Sequence, residues 1–289
     1  MRLPRRFAQL DVFADRPGAG NPLAVVIDAD GIDADAMQAF ANWTNLSETT
    51  FLLPPTHPEA SYRVRIFTPR QELPFAGHPS VGSAHAALDA GLAVPSDGRL
   101  VQECAAGLLP MRVDGEGAAR RIFVRAPQGR AITLSVDPAT WDGVLDGLAL
   151  GTLPATLIDN GPHCWIVELA DENAVRTMAP NLAAIARLTE ATGAVGVAVF
   201  AHSSNSDYQL VVRAFCPADG IPEDPVTGSA NAAIAAWLQQ NHALRSRHYT
   251  ASQGRELGRD GRVQVEVDDS DAVWIGGQTQ TVVHGTLDW

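Results

Sequence analysis

One pattern occurs twice in this chain, and any fold must accommodate both copies. Phe75 to Leu88 reads FAGHPSVGSAHAAL, and Glu223 to Ile234 reads EDPVTGSANAAI. The two align without a gap from Gly77 to Leu88: Pro79 falls on Pro225, Gly82 on Gly228, Ser83 on Ser229, and AHAAL on ANAAI. The echo extends upstream, where RIFTP (Arg65 to Pro69) matches RAFCP (Arg213 to Pro217) with a slightly shorter spacing in the second copy. A repeat this widely separated implies two similar half-molecules.

Each copy reads as strand, loop, then helix: alternating apolar residues, a turn rich in Pro and Gly, and an alanine-rich amphipathic run. Gly and Ser open that run. Small residues at a helix start let a ligand approach the unsatisfied backbone N–H groups, where the helix dipole favours an anion. Two such starts facing across a pseudo-twofold axis would clamp a small carboxylate or a developing enolate. For one copy alone, strand termination is the better explanation of the Gly and Pro. Two copies with polar residues at the same point, His78 aligned on Asp224, favour the ligand.

The chain has 289 residues, enough for two domains or one large one. A net charge of -12 argues against a nucleic-acid surface, which needs a basic stripe to meet phosphates. Cys104, Cys164 and Cys216 lie far apart and show no metal-ligand spacing, so a reducing, cytoplasmic setting is expected. MRLPRRFAQLDVF has no apolar core long enough for a signal peptide, and no stretch approaches a membrane span. The sequons at Asn42 and Asn45 are then chance occurrences.

Taken in order, strands are predicted at Phe7 to Phe13 and Leu23 to Ile27, then a helix over Asp33 to Trp43 capped by Asp33 with Met37, Phe40 and Ala41 inward. Further strands follow up to Pro54 and at Tyr62 to Phe67, and the repeat helix is placed after Val81. The first half reads as antiparallel sheet around one helix, closing near Pro127 to Gly129. The second half repeats that outline, with a helix around Asn181 to Ala191, a second repeat helix ending near Gln240, and a last strand at Thr281 to Leu287.

Glu48, in NLSETTF, is by default a solvated carboxylate. Its apolar neighbours Leu46, Phe51 and Leu52 suggest instead a half-buried group able to act as general acid or base near neutral pH. His78 is placed in the loop that feeds a helix start, where an imidazole reaches a ligand. His85 falls on the alanine face and reads as packing, and the other histidines show no metal-like spacing. There is no P-loop, dinucleotide fingerprint, nucleophile elbow or zinc-spaced histidine pair. Cofactor-free proton transfer on a carbon next to a carboxylate or carbonyl is the economical chemistry, with Glu48 moving the proton and helix termini holding the acid.

The stretches GNPLAVV (Gly20 to Val26), NLSETTF (Asn45 to Phe51), LPFAGHPSVGSAH (Leu73 to His85), AAGLLPMRV (Ala105 to Val113), EDPVTGSANAA (Glu223 to Ala233) and, more loosely, SQGRELGRDGRVQV (Ser252 to Val265) resemble the phenazine biosynthesis PhzF-like family of the diaminopimelate epimerase-like superfamily. The resemblance implies an α+β fold of two pseudo-symmetric domains, each an antiparallel barrel-like sheet around a central helix. Their expected extents are 1–128 plus 278–289, and 129–277, with the active site in the cleft between them. It implies Glu48 as catalytic acid/base, His78 and Asp224 as further catalytic residues, and Gly77, Ser83, Gly228 and Ser229 as substrate-binding. It implies no metal or cofactor, a small carboxylate substrate of the trans-2,3-dihydro-3-hydroxyanthranilate kind, and a homodimer. The superfamily's racemases use one cysteine at each repeat; here His78 and Asp224 occupy those points, and Cys216 aligns with Thr68, so a thiol pair is disfavoured. A non-catalytic small-acid binding protein, and an epimerase working through other bases, remain the alternatives.

Overall fold

Near the N-terminus, alternating apolar residues build a ladder. β1 (Arg5–Val12) and β2 (Asn21–Val26) pair antiparallel with Leu10 opposite Leu23. Asp33 then caps α1 (Ala34–Thr44): its carboxylate accepts from the Ala36 N–H, and Met37, Phe40 and Ala41 are buried, as the spacing predicts. A helix separates β2 from β3 (Thr49–Leu53), so the two lie parallel rather than as a hairpin. β4 (Tyr62–Phe67) returns antiparallel to β3, and the short β5 (Glu72–Leu73) pairs with the end of β4. After α2 (Gly77–Asp89), β6 (Arg99–Cys104) emerges parallel to β4, and β7 (Gly107–Asp114) and β8 (Arg121–Arg125) continue antiparallel. The structure is a computed structural model describing residues 4–289. It divides into two compact units, one ending at Arg125 and resuming at Gly276–Trp289, the other comprising Ala126–Ile275.

The second unit repeats the order of the first. β9 (Arg130–Ile132) pairs with β10 (Thr156–Asp159), and β10 with β11 (His163–Glu168), both antiparallel. α3 (Glu172–Thr177) and α4 (Leu182–Thr192) cross to β12 (Gly196–His202), which is parallel to β11. β13 (Leu210–Cys216) is antiparallel to β12 and carries the short β14 (Ile221–Asp224). After α5 (Gly228–Gln240), β15 (His248–Gln253) runs parallel to β13, β16 (Gly261–Val267) antiparallel to β15, and β17 (Val273–Gly277) follows. Strand for strand, β10 to β16 reproduce β1 to β7, and α5 stands for α2. β18 (Thr279–Leu287) pairs antiparallel with β1 in the first unit, as β9 pairs with β10 in the second.

Three features depart from the sequence expectation. The sheets are mixed rather than antiparallel, because each helical crossover sets its flanking strands parallel. The central helices are not amphipathic. α2 is buried from Gly77 through Ala87, and α5 at Gly228 and from Ala230 through Leu238. Strands touch them on several sides, β1, β2, β3, β4, β8 and β18 for α2, and β9, β10, β11 and β16 for α5. A helix enclosed in this way must be apolar or small all round, which is what the alanines provide. Gly82 shows how tight the enclosure is, since a Cβ there would sit 2.5 Å from Leu23 Cδ2 and 2.8 Å from Val12 Cγ2. Finally, α2 begins at Gly77, ahead of the predicted start. Pro79 does not end anything; in a first turn its missing N–H costs no hydrogen bond.

Candidate active site

In the first unit the site starts from a turn that only glycine can make. A Cβ on Gly20 would lie 2.1 Å from the Val12 carbonyl oxygen. The Gly20 N–H donates to Asp11 Oδ2 at 3.1 Å, and the next residue, Asn21, opens β2 fully buried. Its amide stands between Ser47 Oγ, 3.4 Å from Oδ1, and His78 Nδ1, 3.4 Å from Nδ2. The opposite ring nitrogen, His78 Nε2, is 3.3 Å from Glu48 Oε2. This contact is close but lacks the alignment of a hydrogen bond.

Burial pushes the His78 imidazole down to about 3, so it is neutral at physiological pH. Glu48, whose side chain is 15% exposed, sits in the short connection between α1 and β3. That partial burial is the setting inferred from Leu46, Phe51 and Leu52. His78 is the second residue of α2 rather than part of a preceding loop, and Gly77 is the first. Ser83 lies further along, where its hydroxyl donates to Thr50 Oγ1 at 2.9 Å and ties the helix to β3.

In the second unit Asp224 ends β14, buried, and accepts from Thr227 Oγ1 at 2.5 Å. The fully buried Gln253 holds this turn with all its amide capacity: Nε2 donates to the Asp224 carbonyl at 3.1 Å and to Thr227 Oγ1 at 2.9 Å, while Oε1 accepts from the Thr227 N–H at 3.0 Å and Asn231 Nδ2 at 3.1 Å. Gly228 is the first residue of α5 and Ser229 the second; the Ser229 carbonyl accepts from Asn160 Nδ2 at 2.8 Å. Cys216 is half-buried at the end of β13, its Sγ 2.6 Å from where a Cβ on Gly196 would lie.

The helix starts separate into two kinds. Asp33, Asp171 and Asn181 each accept from a backbone N–H at the start of α1, α3 and α4. Ala76 and Thr227, which precede α2 and α5, make no such side-chain bond. Among the α-helices of the described residues, the two repeat helices present their first N–H groups without a side-chain cap, the condition under which an anion is attracted. Among the described residues no group of three His, Cys, Asp or Glu side chains has metal-holding geometry, and no helix is long and apolar enough to cross a membrane. A surface cavity of about 460 Å³, lined by Met37, Leu53, Arg63, Arg65 and Glu103 among others, contains none of the site residues.

Asn21, Ser47, Thr227 and Gln253 were not singled out from sequence. The first two stand inside GNPLAVV and NLSETTF, and Gln253 inside SQGREL. Their positions were visible in those stretches, but a buried amide's partners are set by tertiary contacts and leave no periodicity.

The repeated order of strands about an enclosed helix, with a carboxyl–imidazole pair beside an uncapped helix start, defines an enzyme of the diaminopimelate epimerase-like fold class. The family model described as phenazine biosynthesis-like protein (PhzC-PhzF) matches residues 10–285, and the chain belongs to this family. The trans-2,3-dihydro-3-hydroxyanthranilate isomerase of Pseudomonas aeruginosa is 32% identical, covering 97% of this chain and 98% of its own. Antisense-enhancing sequence 1 of Schizosaccharomyces pombe is 35% identical over 96% of this chain and 97% of its own. The PhzF-family phenazine biosynthesis protein of Bacillus anthracis shares the fold with a TM-score of 0.83 at 25% identity, covering 99% of both chains. The chain is an isomerase.

Proposed function

We propose that this isomerase moves a proton, without metal or coenzyme, on a small cyclic or unsaturated amino or hydroxy acid of the trans-2,3-dihydro-3-hydroxyanthranilate kind. Glu48 is the group that takes the proton from one carbon and returns it to another. His78 assists Glu48 as a neutral hydrogen-bond donor, and Asp224 is assigned the matching polar role in the second unit. The uncapped N–H groups at Gly77 and Gly228 hold the substrate's carboxylate or the negative charge that develops as the proton leaves, with Ser229 beside them. Ser83, bonded to Thr50, contributes by fixing α2 rather than by offering its hydroxyl.

The observation that carries this reading is the 3.3 Å approach of Glu48 to a buried imidazole in the first turn of α2. A mostly buried carboxyl beside a neutral donor can exchange between acid and base without carrying a permanent counter-charge. Glu48→Gln keeps the shape and removes the proton carrier. Its turnover is expected to fall by roughly 10²- to 10⁴-fold while a bound small acid, followed by calorimetry, keeps its affinity. A fully active Glu48→Gln enzyme would overturn the assignment.

The same reading includes a homodimer. Its support is that residues 281–286 of β18 are exposed and carry no Asp, Glu, Lys or Arg, with Val282 and Val283 each about half exposed, a strand surface that proteins ordinarily cover. Light scattering should give twice the chain's 30.7 kDa, and Val283→Lys should return the mass to one chain.

A further inference from the structure

We propose that Asn21 is a positioning residue that fixes the tautomer of His78, so that Nε2 carries the ring proton and presents it to Glu48. This rests on the assignment of Glu48 as the proton-moving group. An amide side chain is directional, its oxygen only accepting and its nitrogen only donating. The Ser47 hydroxyl faces Asn21 Oδ1 at 3.4 Å, so the Asn21 amide nitrogen is the end turned to His78 Nδ1, also at 3.4 Å. A donor aimed at Nδ1 requires a lone pair there. A neutral imidazole has a single N–H, which must then be on Nε2, the nitrogen 3.3 Å from Glu48 Oε2.

Because Ser47 and Glu48 are consecutive, the arrangement closes on itself: Ser47 to Asn21, Asn21 to His78, His78 to Glu48, and the backbone back to Ser47. With Asn21 Oδ1 toward Ser47 and Nδ2 toward His78, the donors point from Ser47 to Asn21, from Asn21 to His78 and from His78 Nε2 toward Glu48, which in that direction is the acceptor, its ionised and proton-abstracting form. Reversing Asn21 would place the proton on Nδ1 and turn a lone pair toward Glu48, which would then have to be protonated. Asn21 thus selects the base as the resting state of the enzyme. Its burial at the start of β2, behind a Gly20 turn that admits no side chain, holds the amide where the choice is enforced.

The test reads the imidazole directly, without any substrate. Protein labelled with ring-¹⁵N histidine is examined by NMR at neutral pH, and the His78 signals are assigned by their loss in His78→Gln. The expected result is a protonated Nε2 and an unprotonated Nδ1 in the wild-type protein, and the opposite tautomer in Asn21→Asp, whose near-isosteric carboxylate accepts a hydrogen bond from a protonated Nδ1. Exchange catalysed by Asn21→Asp should fall at least ~10-fold, a misassigned tautomer in a catalytic histidine costing up to about 10⁴, with KM little changed. A wild-type His78 protonated on Nδ1 would overturn the inference even if the variant failed to fold, and so would a tautomer unchanged in folded Asn21→Asp. If the tautomers behave as expected but no acid is turned over by the wild type, the catalytic assignment of Glu48 fails and the tautomer assignment stands.

Discussion

His78 is held neutral by burial, and that has a thermodynamic consequence separable from catalysis. Its folded-state pKa of about 3 lies below the unfolded value of 6.5. Between these two values the unfolded chain takes up a proton that the folded chain refuses, so stability falls as pH drops through the window. Each pH unit inside it removes up to about 1.4 kcal/mol, or roughly 2 kcal/mol between pH 7 and pH 5. Urea unfolding of wild type and His78→Gln at both pH values should show that extra loss only in the wild type; parallel pH dependence would mean that His78 is solvated. The sequence pointed to His78 because a polar residue stands at that point of the repeat, and to Glu48 because of its apolar neighbours Leu46, Phe51 and Leu52; the structure brings the two within 3.3 Å. Asn21 was not legible there, since it stands in ADRPGAGNP, whose Gly and Pro read as an ordinary turn.

At the scale of elements, the repeat accounts for an arginine whose role the sequence left unstated. Arg65 forks onto Glu72 at 2.7 and 2.6 Å and thereby pins β5 to β4. Arg213 does the same to Glu223 at 2.9 and 2.8 Å, pinning β14 to β13, and also donates to the Val175 and Met178 carbonyls near the end of α3. The two pairs differ in exposure, 29% and 34% for the first against 6% and 10% for the second. Breaking a buried pair strands a charge and costs about 3 to 5 kcal/mol, whereas a half-exposed one is worth ~1 kcal/mol or less. Arg213→Ala should therefore be much the more destabilising in denaturant titration, and equal effects would contradict the burial argument. Gly82→Ala, which presses a methyl group onto Leu23 and Val12, should cost about 1 to 3 kcal/mol. Strand alternation and the Asp33 cap were readable because they are local; the enclosure of α2 was not, because an alanine run looks the same on one face of a sheet as inside one.

For the whole molecule, the repeated peptide foretold the repeated topology, down to a helix crossover before β3 and before β12. Chain order alone does not foretell that β18 belongs beside β1; the family resemblance does, and the pairing is fixed by a ladder from Arg5 opposite Leu287 to Val12 opposite Thr279. Trp289 follows it and packs on Phe40 with ring centroids 4.9 Å apart. Deleting residues 279–289 removes both, and near-ultraviolet circular dichroism of the first unit's aromatics should collapse; a truncated chain with an unchanged Tm would show that β18 is dispensable. The activity itself is best read by proton exchange. Wild type and Glu48→Gln would be incubated in heavy water with a dihydro-hydroxyanthranilate and a panel of small amino and hydroxy acids, and deuterium followed by NMR. The expected result is incorporation into at least one acid by the wild-type enzyme that disappears in Glu48→Gln. Incorporation at the same rate by both proteins would contradict Glu48 as the group that moves the proton.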